Sequence, residues 1–453
     1  MINKLKYVLL TLLVIMQHAA FADLVKVGTG KIVITPGLPF HLTGYAGRDT
    51  PAADKVHDLW AKALVIEENP GSRLVIVTTD VLGLTPAISN AAAERLQKKY
   101  NLKRSQIMFN SSHTHSGPMI WPALGVIGDY DTTTIKGFTK YALSLTDKLV
   151  AVVDMAMQNL APMQLSHGTG SAAFAMNRRQ RTPGGIVNGM NTGGHVDHDV
   201  PVLMAKDEKG TVKAILFGYA CHNTTVTGKN NSINGDYAGF AQIELEKKYP
   251  QATALFFIGC AGDQNPTPRG TLELAEQHGK ELAEAVEKVL NGKTETIGAP
   301  LRSAFVKTAL PFKPFNAQTF QNDLLKGNKY EQRRAKLIME AMDKGWDISN
   351  HSYPVQAMRI GNKLTILSLS GETVVDYSLN AKKKYPKEHL FVAGYCNQVV
   401  CYIPTERILE EGGYEPVSSM IYYGMPGPFD KSVEGKVNAA IGAVMQKIGV
   451  AKK

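Results

Sequence analysis

Alternation of apolar strands with amphipathic helices is the feature that most constrains the fold of this chain. We predict six buried strands, at residues 74–79, 106–110, 214–220, 253–259, 364–370 and 390–393. The predicted helices cover residues 86–100, 138–160, 237–248, 272–290 and 433–448. This alternation is typical of an α/β fold in which helices flank a mainly parallel or mixed β-sheet. The charged helical segment 315–346 is less periodic, and we interpret it as an insertion or lid.

Polar side chains follow each predicted strand at the point where the strand ends. The residues concerned are Asp80, His113, His115, His222, Asp263, Asn265, Glu372 and Tyr402. Ligands of open α/β sheets bind beyond the carboxyl ends of the strands, so these side chains are expected to meet at one edge. The pattern therefore predicts a functional site at that edge of the sheet.

The residue types at this edge are those that bind zinc. Zinc accepts imidazole nitrogen and carboxylate oxygen, and catalytic zinc sites leave one position open for water. His113 and His115 are one residue apart, so their side chains share a face of an extended segment. Either both bind one metal ion, or one binds it while the other acts on the substrate. His222 and Glu372 would complete a three-ligand set from distant strands.

A second segment offers a competing metal site. Within a glycine-rich loop, residues 195–199 contain His195, Asp197, His198 and Asp199. The two aspartates are equally suited to setting turns, and short His/Asp tracts in loops have no fixed ligand geometry. The chain contains no GxSxG elbow and no GxxxxGK[ST] loop, which argues against a serine α/β-hydrolase and a P-loop NTPase.

The N-terminus has the pattern of a secretory signal peptide. Lys4 and Lys6 precede an apolar run and the small-x-small sequence that ends at Ala22. We expect cleavage after Ala22 and export to the periplasm or beyond the cell. No linker, repeat or low-complexity block divides the remainder, so residues 23–453 are expected to form a single domain.

Charge and cysteine content narrow the expected partners. The formal net charge is +10, which favours anionic surfaces or substrates and leaves open contact with a membrane surface or an anionic glycan. No nucleic-acid-binding motif occurs, so nucleic acid is not an expected partner. Export permits a disulfide, and the nearest pair in sequence is Cys396 with Cys401. The pairing of the four cysteines does not follow from the sequence; they are Cys221, Cys260, Cys396 and Cys401.

A more specific motif lies at the end of the second predicted strand. Residues 110–118 read NSSHTHSGP, which resembles the THTHSGP signature of the neutral/alkaline ceramidase family. The resemblance continues in the family's order along nearly the whole mature chain. It includes residues 33–36, 44–46, 177–178, His222, 235–236, 262–263, 371–372, 397–405 and 413–415.

The resemblance implies hydrolysis of an N-acyl bond by zinc-activated water, in ceramide or in a related N-acyl lipid or sugar. It implies four zinc ligands: His113, His222, Glu372 and Tyr402. It also places His115 and Arg178 against the scissile amide, where they polarise it and stabilise the developing oxyanion. Such a role suits Arg178, because a guanidinium stays charged and can donate two hydrogen bonds to one oxyanion.

The chain departs from the family pattern at two points. Asn265 stands where the family has a serine that has been discussed as catalytic. An asparagine can donate a hydrogen bond but cannot act as an alkoxide nucleophile. Family ceramidases also carry an immunoglobulin-like C-terminal domain, which we do not expect within residues 23–453.

Two other functions compete with amide hydrolysis. One is a metal-assisted polysaccharide lyase acting on uronate-containing glycans, with Tyr402 or His115 abstracting the proton and zinc or Arg178 neutralising the uronate. The other is an exported zinc-binding protein without catalysis. A long apolar groove beside His113 would indicate a lipid substrate, and an open basic trough would indicate a glycan.

Overall fold

The structure is a computed structural model that describes residues 24–451. The expected signal peptide, residues 1–22, lies outside the described residues. Within them the chain forms a nine-stranded sheet, a four-stranded sheet and two small sheets, with helices covering the outer faces. The predicted α/β fold with a mixed sheet is confirmed.

The strands and helices have the following bounds. The strands are β1 Leu24–Val33, β2 Trp60–Asn69, β3 Ser72–Thr79, β4 Ile107–Ser111, β5 Ala161–Ser171, β6 Ala175–Thr182, β7 Gly185–Asn191, β8 Asp199–Lys206, β9 Val212–Tyr219, β10 Thr253–Ile258, β11 Gln264–Pro266, β12 Glu295–Ile297, β13 Leu301–Pro311, β14 Asn350–Ile360, β15 Leu364–Leu369, β16 Glu372–Thr373, β17 His389–Ala393 and β18 Tyr402–Ile403. The α-helices are α1 Pro86–Tyr100, α2 Thr132–Gln158, α3 Asp236–Lys248, α4 Leu272–Leu290, α5 Ala317–Lys326, α6 Lys329–Asp343, α7 Asp376–Lys384, α8 Glu406–Glu411, α9 Ser419–Tyr422 and α10 Val433–Lys447.

The large sheet is antiparallel through its centre and parallel at both ends. Its strand order is β10-β9-β8-β5-β1-β2-β3-β4, with β12 paired to β5. The pairs β3–β4 and β9–β10 are parallel, whereas β1 pairs in antiparallel fashion with both β2 and β5. The two parallel pairs end in the loops that carry His113 and His222, so the ligand-bearing strand ends lie on the same sheet.

The two main sheets pack face to face between layers of helices. Successive side chains of β2 point alternately into two different cores. The first core lies under the helices and contains Val65 together with Leu96 and Leu149. The second core lies between the two sheets. In that inner core, Leu64 belongs to the same cluster as Ile366. Because both faces are buried, the strands read as nearly continuous apolar runs, and each buried Leu or Ile contributes about 1.5–3 kcal/mol.

Capping residues set the helix boundaries. Thr85 accepts a hydrogen bond from the Ile88 backbone N–H at the start of α1, and Asn101 ends this helix in the left-handed conformation. The helix predicted over 138–160 begins earlier, at Thr132, because Asp131 caps it through the Thr134 backbone N–H. The apolar periodicity alone did not reveal this polar first turn.

The segment interpreted as an insertion or lid is helical, as predicted, and consists mainly of α5 and α6. The Tyr330 hydroxyl donates to the Ala46 carbonyl oxygen at 3.1 Å, and Arg333 Nη1 donates to the Val126 carbonyl oxygen at 3.2 Å. These two bonds fix the segment against the loops that contain Ala46 and Val126.

Two further properties concern the described residues as a whole. None of the helices among residues 24–451 is both long and apolar enough to cross a membrane. All four cysteines lie within the described part of the chain, and each is a buried free thiol. The structure therefore contains no bond between Cys396 and Cys401.

Candidate metal and catalytic site

Four strand ends bring the predicted ligands together. His113 follows β4, and His222 lies three residues after β9. Glu372 begins β16 and is paired in parallel with Tyr402 of β18. All four side chains are buried, with 3% exposure or less. The strand-end pattern thus located residues that meet in space, although they are separated by up to 289 positions in sequence.

The backbone at His113 adopts a conformation that is uncommon for residues other than glycine. Its φ is +63°, in the left-handed region. The His113 backbone N–H donates to the Val81 carbonyl oxygen at 3.0 Å, and its Nδ1 lies 2.6 Å from the Leu82 carbonyl oxygen. Strain of this kind persists where the surroundings hold it, and it is concentrated at functional sites.

The three imidazole rings are oriented by backbone carbonyl groups. His222 Nδ1 donates to the Ala261 carbonyl oxygen at 2.6 Å, and His115 Nδ1 donates to the Gly44 carbonyl oxygen at 3.1 Å. A carbonyl oxygen only accepts, so each Nδ1 carries the hydrogen and each Nε2 presents a lone pair. A glycine is required at position 44, because its φ is +97° and a Cβ there would lie 2.6 Å from His115 Nδ1.

The lone pairs of these rings converge with the oxygens of Glu372 and Tyr402. Glu372 Oε2 lies 3.2 Å from His113 Nε2 and 3.0 Å from His222 Nε2. His115 Nε2 is 3.1 Å from His113 Nε2, and the Tyr402 hydroxyl oxygen is 3.3 Å from His222 Nε2. Zinc bonds of about 2.0–2.1 Å at tetrahedral angles separate two ligand atoms by about 3.3 Å. The donor set therefore fits a single divalent cation, which would satisfy these facing lone pairs together.

The pKa values of His115, His222 and Glu372 favour two neutral imidazoles beside a charged carboxylate. Burial and, to a smaller extent, the neighbouring positive charge of Arg178 lower the pKa of His222 to about 4. Burial also holds the pKa of His115 well below its usual range. For Glu372, burial alone would raise the pKa, but the positive charge that His113 and His222 carry when protonated outweighs burial and holds this pKa well below the usual carboxyl value. Neutral imidazole and ionised carboxylate are the forms that bind metals.

Arg178 lies beside this cluster with its guanidinium fixed on three sides. Its Nε donates to Glu415 Oε1 at 2.9 Å, Nη2 to the Tyr402 hydroxyl at 3.0 Å, and Nη1 to Asn265 Oδ1 at 3.3 Å. Burial would lower its pKa, but Tyr402 and Glu415 raise that pKa well above the usual value. Glu415 belongs to a single π-helical turn, Tyr414–Ser418, a distortion often found at functional sites.

Asn265 is held in the same hydrogen-bond network. Its Oδ1 also accepts from Thr224 Oγ1 at 3.3 Å, and its Nδ2 donates to Asn188 Oδ1 at 3.4 Å. The side chain lines the pocket beside Arg178. Its amide is thus placed to orient a neighbouring polar group by hydrogen bonding.

A pocket of about 290 Å³ opens over the cluster. Its polar base includes His113, His115 and Glu372, with Arg178 beside them. The rest of the lining combines aliphatic and aromatic side chains with polar ones; it includes Leu82, Leu124, Ile127, Tyr45, Tyr414, Tyr422 and Tyr423, together with Asn188, Thr224, Asn265 and Arg269. The pocket is therefore neither a long apolar groove nor an open basic trough, but its aliphatic and aromatic side chains offer a surface for hydrocarbon beside the polar cluster.

Two tyrosines at the site were missed by sequence reasoning. The Tyr423 hydroxyl donates to Glu372 Oε1, and the Tyr395 hydroxyl lies 3.5 Å from Glu372 Oε2. Tyr423 follows the short helix α9 rather than a strand, so the strand-end rule does not identify it. Tyr395 lies two residues after β17, as His113 does after β4, so the strand-end rule could have identified it. No sequence pattern distinguishes Tyr423 among the 17 tyrosines of the chain.

Some strand-end residues have structural partners instead of facing the pocket. Asp80 Oδ2 accepts from the Trp60 backbone N–H at 2.9 Å, and Oδ1 accepts from Gln242 Nε2 at 3.0 Å. Asp263 Oδ1 accepts from the Val375 backbone N–H at 2.8 Å. These buried carboxylates satisfy backbone and amide donors near the site.

The competing segment 195–199 does not gather its side chains around one point. His195 Nδ1 lies 2.6 Å from Asp376 Oδ1, whereas His198 Nε2 faces the Ala175 carbonyl oxygen at 2.9 Å. Asp197 and Asp199 both accept from Lys382 Nζ, at 2.7 Å. The structure thus gives these side chains separate protein partners.

Comparison with known proteins identifies the family. The family described as "Neutral/alkaline non-lysosomal ceramidase, N-terminal" matches residues 25–278. The chain belongs to this family. The resemblance to this family that was inferred from residues 110–118 is thereby confirmed.

Relatives in bacteria and plants share this region. The neutral ceramidase of Pseudomonas aeruginosa is 29% identical over 232 residues, which cover 49% of this chain and 33% of that protein. Neutral ceramidase 1 of Arabidopsis thaliana is 25% identical over 261 residues, covering 56% of this chain and 33% of that protein. The chain thus matches about a third of the length of these curated relatives.

Solved structures extend the likeness of fold beyond the region of sequence similarity. The crystal structure of neutral ceramidase from Pseudomonas aeruginosa superposes with a TM-score of 0.71 at 21% identity, covering 94% of this chain and 75% of that one. A structure described as a ceramidase complexed with C2 gives 0.72 at 20% identity, covering 95% and 76%. The same fold therefore continues through the part of the chain after residue 278.

Proposed function

We propose that this protein is a zinc-dependent amidohydrolase that cleaves the N-acyl bond of ceramide or of a closely related N-acyl lipid. The observation that carries the proposal is the convergence of three imidazole Nε2 atoms and the Glu372 carboxylate in a pocket whose lining includes aliphatic and aromatic side chains. Imidazole and carboxylate donors at these separations suit zinc.

His113, His222, Glu372 and Tyr402 would hold the metal. With zinc bound by these side chains, the pKa of water would fall towards neutrality, which would supply the nucleophile at neutral pH. The carbonyl groups of Leu82 and Ala261 keep the two imidazoles in the required tautomer and orientation.

The remaining polar side chains act on the substrate. Water oxygen adds to the acyl carbon, and Arg178 donates hydrogen bonds to the acyl oxygen as negative charge develops on it. His115 takes the proton of the attacking water at Nε2 and passes it to the amine nitrogen as the C–N bond breaks. Asn265, bonded to Arg178, orients the acyl oxygen or the water. The products are a carboxylic acid and a free amine.

The pocket walls support a lipid as the substrate. Aliphatic and aromatic side chains surround the polar base, so hydrocarbon can be buried next to the point of cleavage. The relatives named above are neutral ceramidases, and one structural neighbour is a ceramidase complexed with C2. Both lines favour an N-acyl lipid over a uronate-containing glycan.

Isotope labelling tests the proposed nucleophile. Hydrolysis of a short-chain ceramide in heavy-oxygen water should place one label in the released acid, and intact-mass analysis should find no acylated protein. Asn265→Ala should retain measurable activity, with a loss on the order of 10–10³-fold, because one oriented donor is removed and no nucleophile. Glu372→Ala is the inactive control.

Three results would contradict the proposal. Trapping of an acyl group on any side chain would mean that a residue, and not water, attacks. Appearance of an unsaturated uronate product from anionic glycans would indicate the lyase. Full zinc occupancy with no turnover on any amide or ester would indicate a binding protein.

We also propose that the protein is exported after cleavage behind Ala22. The basic residues, the apolar run and the small-x-small sequence of residues 1–22 support this. N-terminal sequencing of protein recovered from the periplasm or medium should read from Asp23. A retained Met1 in that fraction would contradict export by this route.

A further inference from the structure

A second cluster of metal-binding side chains lies outside the active-site pocket. His167 lies on β5, Glu295 on β12 and His389 at the start of β17, and none of the three lines the pocket. One ring nitrogen from each histidine and one carboxylate oxygen of Glu295 lie within 4.8 Å of one another. The three residues come from parts of the chain that are far apart in sequence, and the fold brings them to one point.

Strand pairing fixes two of the three positions. His167 and Glu295 are direct partners in the antiparallel pair β5–β12, so their side chains leave the sheet on the same face. That face packs on the four-stranded sheet, where Leu165 and Ile297 share a core with Phe391. His389 comes from the four-stranded sheet, so the cluster lies at the border between the two sheets.

His167 supplies an observation that points to a ligand. Its side chain is 98% buried, given its exposed fraction of 2%, yet its Nε2 has no hydrogen-bond partner among the described residues. A buried polar atom without a partner costs about 1–3 kcal/mol, so such atoms usually have one. The imidazole of His167 thus lies beside Glu295 and His389 and has a buried ring nitrogen without a protein partner.

The other two side chains already have the spacing of metal ligands. His389 Nε2 lies 3.3 Å from Glu295 Oε1, close to the separation of about 3.3 Å between two ligands of one tetrahedral zinc. Both side chains are nearly half exposed, at 43% and 46%, so they can adjust and solvent can reach them. The His167 and His389 ring centroids are 4.7 Å apart.

We propose that His167, Glu295 and His389 form a second binding site for a divalent transition metal of the zinc type. Two imidazoles and one carboxylate leave the fourth position to water. The metal would tie the nine-stranded sheet to the four-stranded sheet at their shared border. Lys363 opposes binding, because its Nζ lies 3.4 Å from Glu295 Oε2 and competes for the carboxylate.

Zinc counting by elemental analysis tests this site in the full chain. After chelation and dialysis against increasing Zn²⁺, the wild-type protein should reach two zinc ions per chain, the second at higher concentration. His389→Ala should bind one, and His113→Ala/His222→Ala should also bind one. Adding His389→Ala to that double variant should abolish binding. Adding His195→Ala instead, as a matched exposed histidine, should leave one ion bound.

Two further measurements test the site through the stability of the protein and through zinc affinity, and neither depends on enzymatic activity. Zn²⁺ should raise the Tm of His113→Ala/His222→Ala, because the metal binds only the folded state, and should not raise it once His389→Ala is added. Lys363→Gln should tighten the second site by about two- to fivefold, as expected for removal of one exposed competing charge. A wild-type limit of one zinc that His389→Ala leaves bound, or a second zinc that survives His389→Ala, overturns the proposal.

Discussion

The region matched by the family, residues 25–278, and the region after it contribute different chemistry to the site. The first supplies every imidazole and the guanidinium of Arg178. The second supplies the Glu372 carboxylate and the phenols of Tyr402 and Tyr423. Sequence similarity to curated relatives is concentrated in about half of the chain, whereas likeness of fold covers 94% of it. The imidazoles of the first region and the Glu372 carboxylate of the second thus meet only when both regions fold together.

The largest effect is expected when the carboxylate of Glu372 is removed. If the later region is an equal partner in metal binding, Glu372→Ala should lose zinc and at least about 10³-fold in turnover, as His113→Ala should. Zinc content and kcat/KM would be measured together. Glu410→Ala, a change at an exposed ion pair, is the control. Retained zinc in Glu372→Ala would assign the metal to the three imidazoles of the first region.

The next largest effect is expected at Arg178, where the two regions share hydrogen bonds. Arg178→Lys should lose about 10²-fold in kcat while keeping zinc, because the ammonium of lysine lacks the planar fork that bonds Glu415 and Tyr402 and can donate two parallel hydrogen bonds to one oxyanion. Arg181→Lys at an exposed arginine should leave kcat unchanged. Equal rates for the two variants would reduce Arg178 to a structural cation.

The smallest effect should come from Tyr423, which contacts the carboxylate rather than the metal. Tyr423→Phe removes the hydrogen bond to Glu372 Oε1 and should weaken zinc affinity by about 10–100-fold. Tyr422→Phe keeps that bond and alters only a neighbouring ring of the same pocket. Competition with a zinc chelator measures both. An equal loss in the two variants would mean that pocket packing, and not the bond to Glu372, sets the affinity.

The sequence predicted the parts of the fold that have a local signal. Helix α1 has a capping threonine and a proline at its first turn, and β3 is an unbroken apolar run. The strands β1, β5 and β8 were not predicted. Strand β8 forms a hairpin with β9 through the turn at residues 207–211, and that local signal was overlooked. Strands β1 and β5 have distant partners, since Val27 pairs with Ala161 and Ser166 with Met204, so no hairpin turn marks these pairings. Their existence depends on tertiary pairing that periodicity does not record.

The same contrast holds at the site. His113, His222 and Glu372 were found because each follows a strand. In the structure, the Nε2 atoms of both histidines lie within 3.2 Å of Glu372 Oε2. Tyr423 and the tautomer-setting carbonyl groups of Leu82 and Ala261 have no sequence signature. A backbone carbonyl is present in every residue, so only the folded chain shows which ones orient a ring.

The four buried free thiols allow local opening of the folded protein to be measured by alkylation. Each sulfur-bearing side chain is fully buried, and burial raises the pKa of Cys396 to about 12, so the folded chain offers almost no thiolate to an alkylating reagent. Cys221 and Cys401 directly precede His222 and Tyr402. The alkylation rate of each of these two cysteines therefore measures how often the adjacent part of the site opens, and no cysteine has to be introduced for the measurement.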